Sequence, residues 1–195
     1  MTLEGNESMP AIREHYIAAL RQIIPYDEQE KIDIDQTLAW IQSTAHVHKH
    51  GNPEQHLGVL ALLVSPDHTS IFLTNHRKAQ MWLPPGGHVD EDVRLQDAVK
   101  EELKEEVGTE ADFFSEQPFF HVRTLTQGAN AGHTDVTFWF LMNGNPGTQY
   151  KVLEEEASEA QWFTIDEVLK NPAFEHLHRG LRKSKDLITK RERMK

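Results

Sequence analysis

Three closely spaced glutamates, Glu102, Glu105 and Glu106, are the residues of this sequence best suited to carry out chemistry. At about 100° per residue, the apolar residues around them form one helical stripe, which consists of Leu95, Ala98, Val99, Leu103 and Val107. Glu102 and Glu106 project within the arc of that stripe, and Glu105 lies at its edge. Buried like charges are costly unless they are neutralised, and a divalent cation bound by carboxylate oxygens is the simplest neutraliser. The alternative is that the glutamates only flank the core and reach solvent, as most charge runs do.

A glycine-rich turn directly precedes this helical segment. Gly86 and Gly87 allow the backbone to adopt positive φ and to approach a ligand closely. Gly108 is placed to end the helix in a left-handed conformation. A cation bound by carboxylates beside such a turn indicates phosphate chemistry.

The stretch from Gly87 to Thr109 resembles the Nudix box of the MutT-like pyrophosphohydrolases. That box is written G-x5-E-x7-R-E-U-x-E-E-x-G-U, where U is an aliphatic residue, and here the matching positions are Gly87, Glu102, Leu103, Glu105, Glu106 and Gly108. The preceding segment, Trp82 to Val89, is similar to the usual lead-in to the box. A weaker resemblance covers about residues 55 to 170.

The resemblance implies an α/β/α sandwich with a mixed sheet and a metal-dependent hydrolase. Glu102, Glu105 and Glu106 would bind Mg²⁺ or Mn²⁺, and Glu102 or Glu105 would act as the general base. The base differs among Nudix enzymes, so a carboxylate from another loop is an alternative; Asp135, Glu154, Glu155 and Glu156 are the candidates. The substrate would be a nucleoside diphosphate derivative, such as a nucleoside triphosphate, a nucleotide sugar or ADP-ribose.

Five residues are candidates for contacting the phosphates of such a substrate. Gly86 and Gly87 would line the diphosphate site with their backbone, and Arg77, Lys78 and Arg123 would supply positive charge.

The box departs from the family pattern at Val93, which replaces a glutamate, and at Glu101, which replaces an arginine; Thr109 in place of an aliphatic residue is a third, minor departure. Arg94 and Glu101 are seven residues apart and fall on nearly the same helix face. They could therefore form a substitute ion pair with reversed polarity, or they could be unrelated surface charges. The departures favour an alternative function, a nucleotide-binding sensor of the same fold with little or no turnover.

Around the box, the sequence predicts a helical extension over residues 1–50 and a hydrolase domain over 51–195 that ends in a helix. Pro10 is placed behind Ser8 in the first turn of one helix, and a second helix is predicted to begin near Asp35. Apolar runs predict a hairpin over Leu57–Val64 and Ile71–Thr74, and further strands over Pro118–Gln127 and Val136–Met142. Thr164 to Glu167 is a capping box that opens another helix.

Two segments rich in basic or imidazole groups have alternative interpretations. His46, His48 and His50, with His56 nearby, would bind a metal or, more simply, belong to a solvated linker. The basic segment after about residue 175 would contact phosphate or an acidic partner, or form a solvated terminal helix.

Composition limits the remaining possibilities. The chain of 195 residues has no cysteine, which excludes disulfides and thiol catalysis. Its net charge of −11 argues against general binding of nucleic acid. No apolar run resembles a signal peptide or a membrane span, so we expect a cytoplasmic protein with a small-molecule nucleotide-type substrate. The N-terminal helices make a homodimer plausible.

Overall fold

The computed structural model describes residues 9–126 and 132–194. Two helices come first, α1 (Met9–Gln22) and α2 (Glu28–Ser43). The prediction that the second helix begins near Asp35 was wrong, because Asp27 caps it: the Asp27 side chain accepts a hydrogen bond from the Glu30 N–H. Ser8, which was predicted to precede the first helix, lies outside the described residues.

A mixed sheet of seven strands forms the middle layer of the protein. Its strands are β1 (Gln55–Val64), β2 (Ser70–His76), β3 (Met81–Leu83), β4 (Gly86–His88), β5 (Phe120–Leu125), β6 (Thr134–Asn143) and β7 (Ala157–Thr164). The main path through the sheet runs β3-β2-β1-β6-β5, while β4 pairs with β1 and β7 pairs with β2. Strands β1 and β6 are parallel, and the other pairs are antiparallel. The predicted hairpin and the two further strands are therefore confirmed.

Helices cover both faces of this sheet, which confirms the α/β/α sandwich. On one face, α3 (Leu95–Val107), α1 and α2 share a core with residues such as Leu57 and Phe138. On the other face, α4 (Ile165–Lys170), a 3-10 turn (Pro172–Phe174) and α5 (Glu175–Glu192) pack on residues such as Leu62 and Trp139. The capping box opens α4 as predicted, since the Thr164 hydroxyl accepts from the Glu167 N–H.

Helix α2 covers the edge strand β5 and pairs with α5. Fully buried Glu30 accepts a hydrogen bond from the backbone N–H of His121 in β5, at 3.0 Å. The Lys183 ammonium of α5 donates to both oxygens of the same carboxylate, at 2.7 and 2.9 Å. Arg179 makes a two-pronged pair with Asp27 at the start of α2. Part of the basic segment after residue 175 therefore neutralises acidic groups of α2 and is not solvated.

In the described ranges, no helix is both long and apolar enough to cross a membrane. The two N-terminal helices share one hydrophobic core with the sheet. The domain boundary at residue 51 and the homodimer stay predictions.

Candidate active site

Glu106 joins helix α3 to the glycine turn. Glu106 is only 8% exposed, and its Oε2 accepts a hydrogen bond from the Gly86 N–H at 2.9 Å. Gly86 has a φ of 152°, and a Cβ at this position would collide with the Val59 carbonyl, so the turn requires glycine here. Burial raises the pKa of Glu106 to about 7. The turn thus approaches the helix closely enough for its backbone to contact a buried carboxylate.

Glu102 lies against the second glycine of the turn. A Cβ at position 87 would collide with the Glu102 carboxylate, so Gly87 leaves space for that group. Burial, with further contributions from Glu106 and Glu105, raises the pKa of Glu102 to about 7. Glu105 itself is exposed on the outer side of the helix.

A third carboxylate, Glu156, comes from the segment before β7. One oxygen of Glu156, one of Glu106 and a ring nitrogen of His76 all lie within 4.8 Å of one another. Lys78 donates to both Glu156 oxygens, at 2.8 and 3.1 Å, and holds the pKa of this carboxyl below its ordinary value. Sequence reasoning named Glu156 only as one of several alternatives.

His76 lies beside Glu156 in this cluster, and no sequence pattern pointed to it. Its Nδ1 accepts the Ala79 N–H at 3.1 Å, so the proton of the neutral ring lies on Nε2. That nitrogen faces Glu156 Oε2 at 3.7 Å. Burial lowers the pKa of His76, which favours the neutral ring. His76 is thus suited to orient Glu156 and not to bind a cation itself.

Arg77 fixes the segment that carries Glu156. Its backbone N–H donates to the Glu156 carbonyl at 2.8 Å, and its Nε donates to the Glu154 carbonyl at 2.6 Å. Arg77 is exposed, and its predicted contact with phosphate stays a prediction.

Arg123 lies half-buried beneath helix α2. It donates to the Thr37 hydroxyl at 3.3 Å and to the Gln55 side-chain oxygen at 3.2 Å. Its phosphate-binding role also stays a prediction.

The remaining positions of the box lie within α3 or at its two ends. Gly108 ends α3 with a φ of 65°, the left-handed conformation that the sequence predicted. Val93 packs partly buried against the core, where its carbonyl accepts the Tyr16 hydroxyl at 2.8 Å. Arg94 occupies the N-cap position of α3, where its side chain makes no capping hydrogen bond, and Glu101 lies two turns later; both are exposed. Over residues 9–126 and 132–194 no ion pair joins Arg94 to Glu101, so the substitute pair is not formed.

The donor set fits a hard divalent cation. The Glu102 carboxylate is half-buried and the Glu106 carboxylate is buried. One oxygen of Glu156 lies within 4.8 Å of one oxygen of Glu106. Each such charge needs a proton or a cation to be tolerated. Carboxylate oxygens are the ligands that Mg²⁺ and Mn²⁺ prefer.

Comparison with known proteins identifies the family. The model of the NUDIX domain matches residues 54–183, which is most of the chain. The chain belongs to the Nudix family. Nudix hydrolases act on phosphoanhydride bonds, and the family implies small nucleotide substrates.

Solved structures share the Nudix fold with this chain. A MutT protein from Methanosarcina mazei Go1 is 19% identical, with a TM-score of 0.53 over 67% of this chain and 93% of the other. An Ap4A hydrolase from C. elegans, solved as a binary complex, is 16% identical, with a TM-score of 0.56 over 68% and 97%. No curated protein matches this Nudix chain.

Proposed function

We propose that this Nudix protein is a metal-dependent pyrophosphohydrolase that cleaves the diphosphate linkage of a nucleoside diphosphate derivative. The observation that carries the proposal is the hydrogen bond from the Gly86 N–H to the buried Glu106 carboxylate. It holds a glycine turn, suited to line a diphosphate, beside the carboxylates suited to bind a cation.

The carboxylates of Glu102, Glu105 and Glu106 would bind Mg²⁺ or Mn²⁺, and Glu156 is placed to join them. When bound, the cation neutralises charge on the diphosphate and lowers the pKa of the attacking water. Contacts within the chain hold these carboxylates in place. Gly86 fixes Glu106, and Glu156 is fixed by Lys78 and by the backbone contact with Arg77. Fixed ligands matter because misplacement by about 1 Å is costly in rate.

Glu102 is our choice for the general base that takes the proton of the water. It is half-buried beside the glycine turn, whereas Glu105 is exposed. Glu156 is less suited, because its ion pair with Lys78 stabilises the charged carboxylate and weakens it as a base.

A substrate panel tests the function. Ordinary and oxidised nucleoside triphosphates, nucleotide sugars and ADP-ribose are incubated with the protein and Mg²⁺ or Mn²⁺. We expect a nucleoside monophosphate as one product of the preferred substrate, and ¹⁸O-labelled water identifies the phosphorus that is attacked. The same panel in excess chelator is the control. Absence of hydrolysis with both metals across the panel would overturn the proposal.

The second candidate function is a nucleotide sensor of the same fold. It is favoured by Glu101, which occupies the position of the family's arginine and forms no ion pair among the described residues. Calorimetry separates the two functions, because a sensor would bind ADP-ribose or a nucleotide with no turnover in the panel.

A further inference from the structure

Three histidines and one aspartate converge on the opposite side of β4 from Glu102. His56 lies on β1, His88 ends β4, His133 directly precedes β6, and Asp135 is its second residue. His56 and Asp135 are register partners on the parallel pair, and His88 is opposite Gly58. Since successive side chains of a strand point to opposite faces, His88 points away from the face where Gly87 meets Glu102. The two groups are thus separate clusters that share one strand.

All three imidazole Nε2 atoms face the same Asp135 oxygen. The distances to Asp135 Oδ1 are 3.1 Å from His133, 3.4 Å from His56 and 4.0 Å from His88. Four ligands bound tetrahedrally at about 2.0–2.1 Å from a zinc ion are about 3.3 Å apart. Two of these three distances are close to that spacing, and one ligand atom of each residue lies within 4.8 Å of the others.

The hydrogen bonds of His56 leave its Nε2 with a lone pair. His56 is fully buried, and its Nδ1 donates to the Asn52 carbonyl at 3.1 Å, so the neutral ring has no proton on Nε2. Neither His56 Nε2 nor Asp135 Oδ1 has a hydrogen-bond partner, although both are buried from solvent. Two buried acceptors that face each other repel unless a proton or a metal ion lies between them.

His133 repeats this arrangement. The Thr126 hydroxyl donates to the His133 carbonyl at 2.9 Å and lies 3.1 Å from His133 Nδ1, close enough to accept an Nδ1 proton. In that tautomer, His133 Nε2 also directs a lone pair at Asp135. A donated Nδ1–H and a free Nε2 are the state in which metal-bound histidines are held by their neighbours. His76 has the opposite arrangement, with its proton on Nε2.

We propose that His56, His88, His133 and Asp135 form a second metal site, which binds a borderline transition-metal dication of the Zn²⁺ class. Three imidazoles with one carboxylate suit Zn²⁺ or Co²⁺ better than Mg²⁺, which prefers oxygen ligands. Four protein ligands fill a tetrahedral shell, so the role is structural. The ion would tie β4, which carries Gly86 and Gly87, to β1 and β6.

Titration with Co²⁺ tests the site, because tetrahedral Co²⁺ bound to nitrogen absorbs strongly in the visible range and octahedral Co²⁺ bound to oxygen absorbs weakly. The full chain is stripped of metal, titrated with Co²⁺, and then titrated with Zn²⁺. We expect strong visible bands that saturate at one equivalent and disappear with one equivalent of Zn²⁺. We also expect the bands to persist in Glu106→Gln, since that carboxylate belongs to the other cluster.

The test variants are Asp135→Asn and His133→Gln, and the matched control is His68→Gln, which removes a histidine paired with Glu192 elsewhere. We expect each test variant to bind Co²⁺ at least ~10-fold more weakly, and the control to bind it as the wild type does. Wild-type protein without strong bands, or bands retained in both folded test variants, would overturn the proposal. If the variants do not fold, nitrogen-15 spectra of the wild-type imidazoles decide: Zn²⁺ must shift Nε2 of three histidines, and unshifted signals would overturn it.

Discussion

The Glu106 carboxylate accepts the backbone N–H of Gly86, twenty residues earlier in the chain, at 2.9 Å. This bond connects the helix that carries the candidate metal ligands to the turn that would line the diphosphate. Since the carboxylate is buried, bulk water cannot solvate its charge. A cation between the helix and the turn would neutralise it at the place where phosphate would bind.

Glu106→Gln tests the metal role directly. The amide still accepts the Gly86 N–H but has no charge to bind a cation, so we expect kcat/KM to fall by about 10²-fold or more with the fold retained. Steady-state kinetics and circular dichroism measure the two effects. Glu101→Gln, an exposed substitution on the same helix, is the control and should leave kcat/KM nearly unchanged. Full activity of Glu106→Gln would contradict the assignment.

Gly87→Ala tests the close contact between the turn and Glu102. The added Cβ would collide with the Glu102 carboxylate, so that carboxylate must move away from its position beside the turn. We expect a weaker apparent affinity for Mg²⁺ in the hydrolysis assay, seen as a higher Mg²⁺ concentration at half-maximal rate. Gly147→Ala is the control, since its Cβ would approach only the end of the Asn145 side chain. Equal Mg²⁺ dependence in both variants would show that the contact does not matter.

The metal-free protein should become less stable as the pH rises from about 4.5 to 7. Burial raises the pKa of both Glu102 and Glu106 from 4.5 to about 7. In this range the folded chain therefore binds more protons than the unfolded chain, and the free energy of unfolding decreases with pH. Thermal unfolding in chelator measures the effect, because each kcal/mol lost from the free energy of unfolding lowers Tm by about 2–4 °C.

Two further measurements check this origin of the pH dependence. Glu106→Gln should have a flatter profile of Tm against pH, whereas Glu101→Gln should keep the wild-type slope. Added Mg²⁺ should raise Tm more at pH 8 than at pH 5, because it binds the ionised carboxylates. A Tm that increases from pH 5 to 7 in chelator for the wild type but not for Glu106→Gln would contradict the raised pKa values.

The buried pair of Lys183 and Glu30 should be important for stability. Lys183→Met leaves the fully buried Glu30 carboxylate without its cation, so we expect a loss of about 3–5 kcal/mol in the free energy of unfolding. Lys185→Met is the matched control, because it removes an exposed pair with Asp166 that contributes about 0–1 kcal/mol. Urea denaturation measures both values. Adding Glu30→Gln to Lys183→Met should restore part of the loss, and equal losses for Lys183→Met and Lys185→Met would contradict the role of burial.

The beginning of α2 shows where sequence reasoning failed. Its first turns are polar, and the residues that face inward there include Glu30 and Asp33. No apolar periodicity marks such a segment. These carboxylates are tolerated because Lys183 and Arg179, more than 140 residues later, neutralise them. The sequence offered only the capping residue Asp27 as a signal.

Local rules were sufficient for the helix that carries the candidate metal ligands. Its 3.6-residue period places Glu102 and Glu106 toward the interior, the glycine at 108 ends it, and the Gly86-Gly87 turn precedes it. These features depend on neighbours within a few residues, so the sequence alone determined them. The capping box at Thr164 and the hairpin of β1 and β2 are predictable for the same reason.

Tertiary structure decided which distant groups meet. His76 reaches the vicinity of Glu156 because β2 pairs with β7 in the register that sets His76 opposite Ala157. Likewise, the imidazoles of His56, His88 and His133 meet at Asp135 only through the pairing of β1 with β4 and β6. Strand order and register are fixed by packing of the whole sheet between its two helical layers, and no local pattern in the chain encodes them.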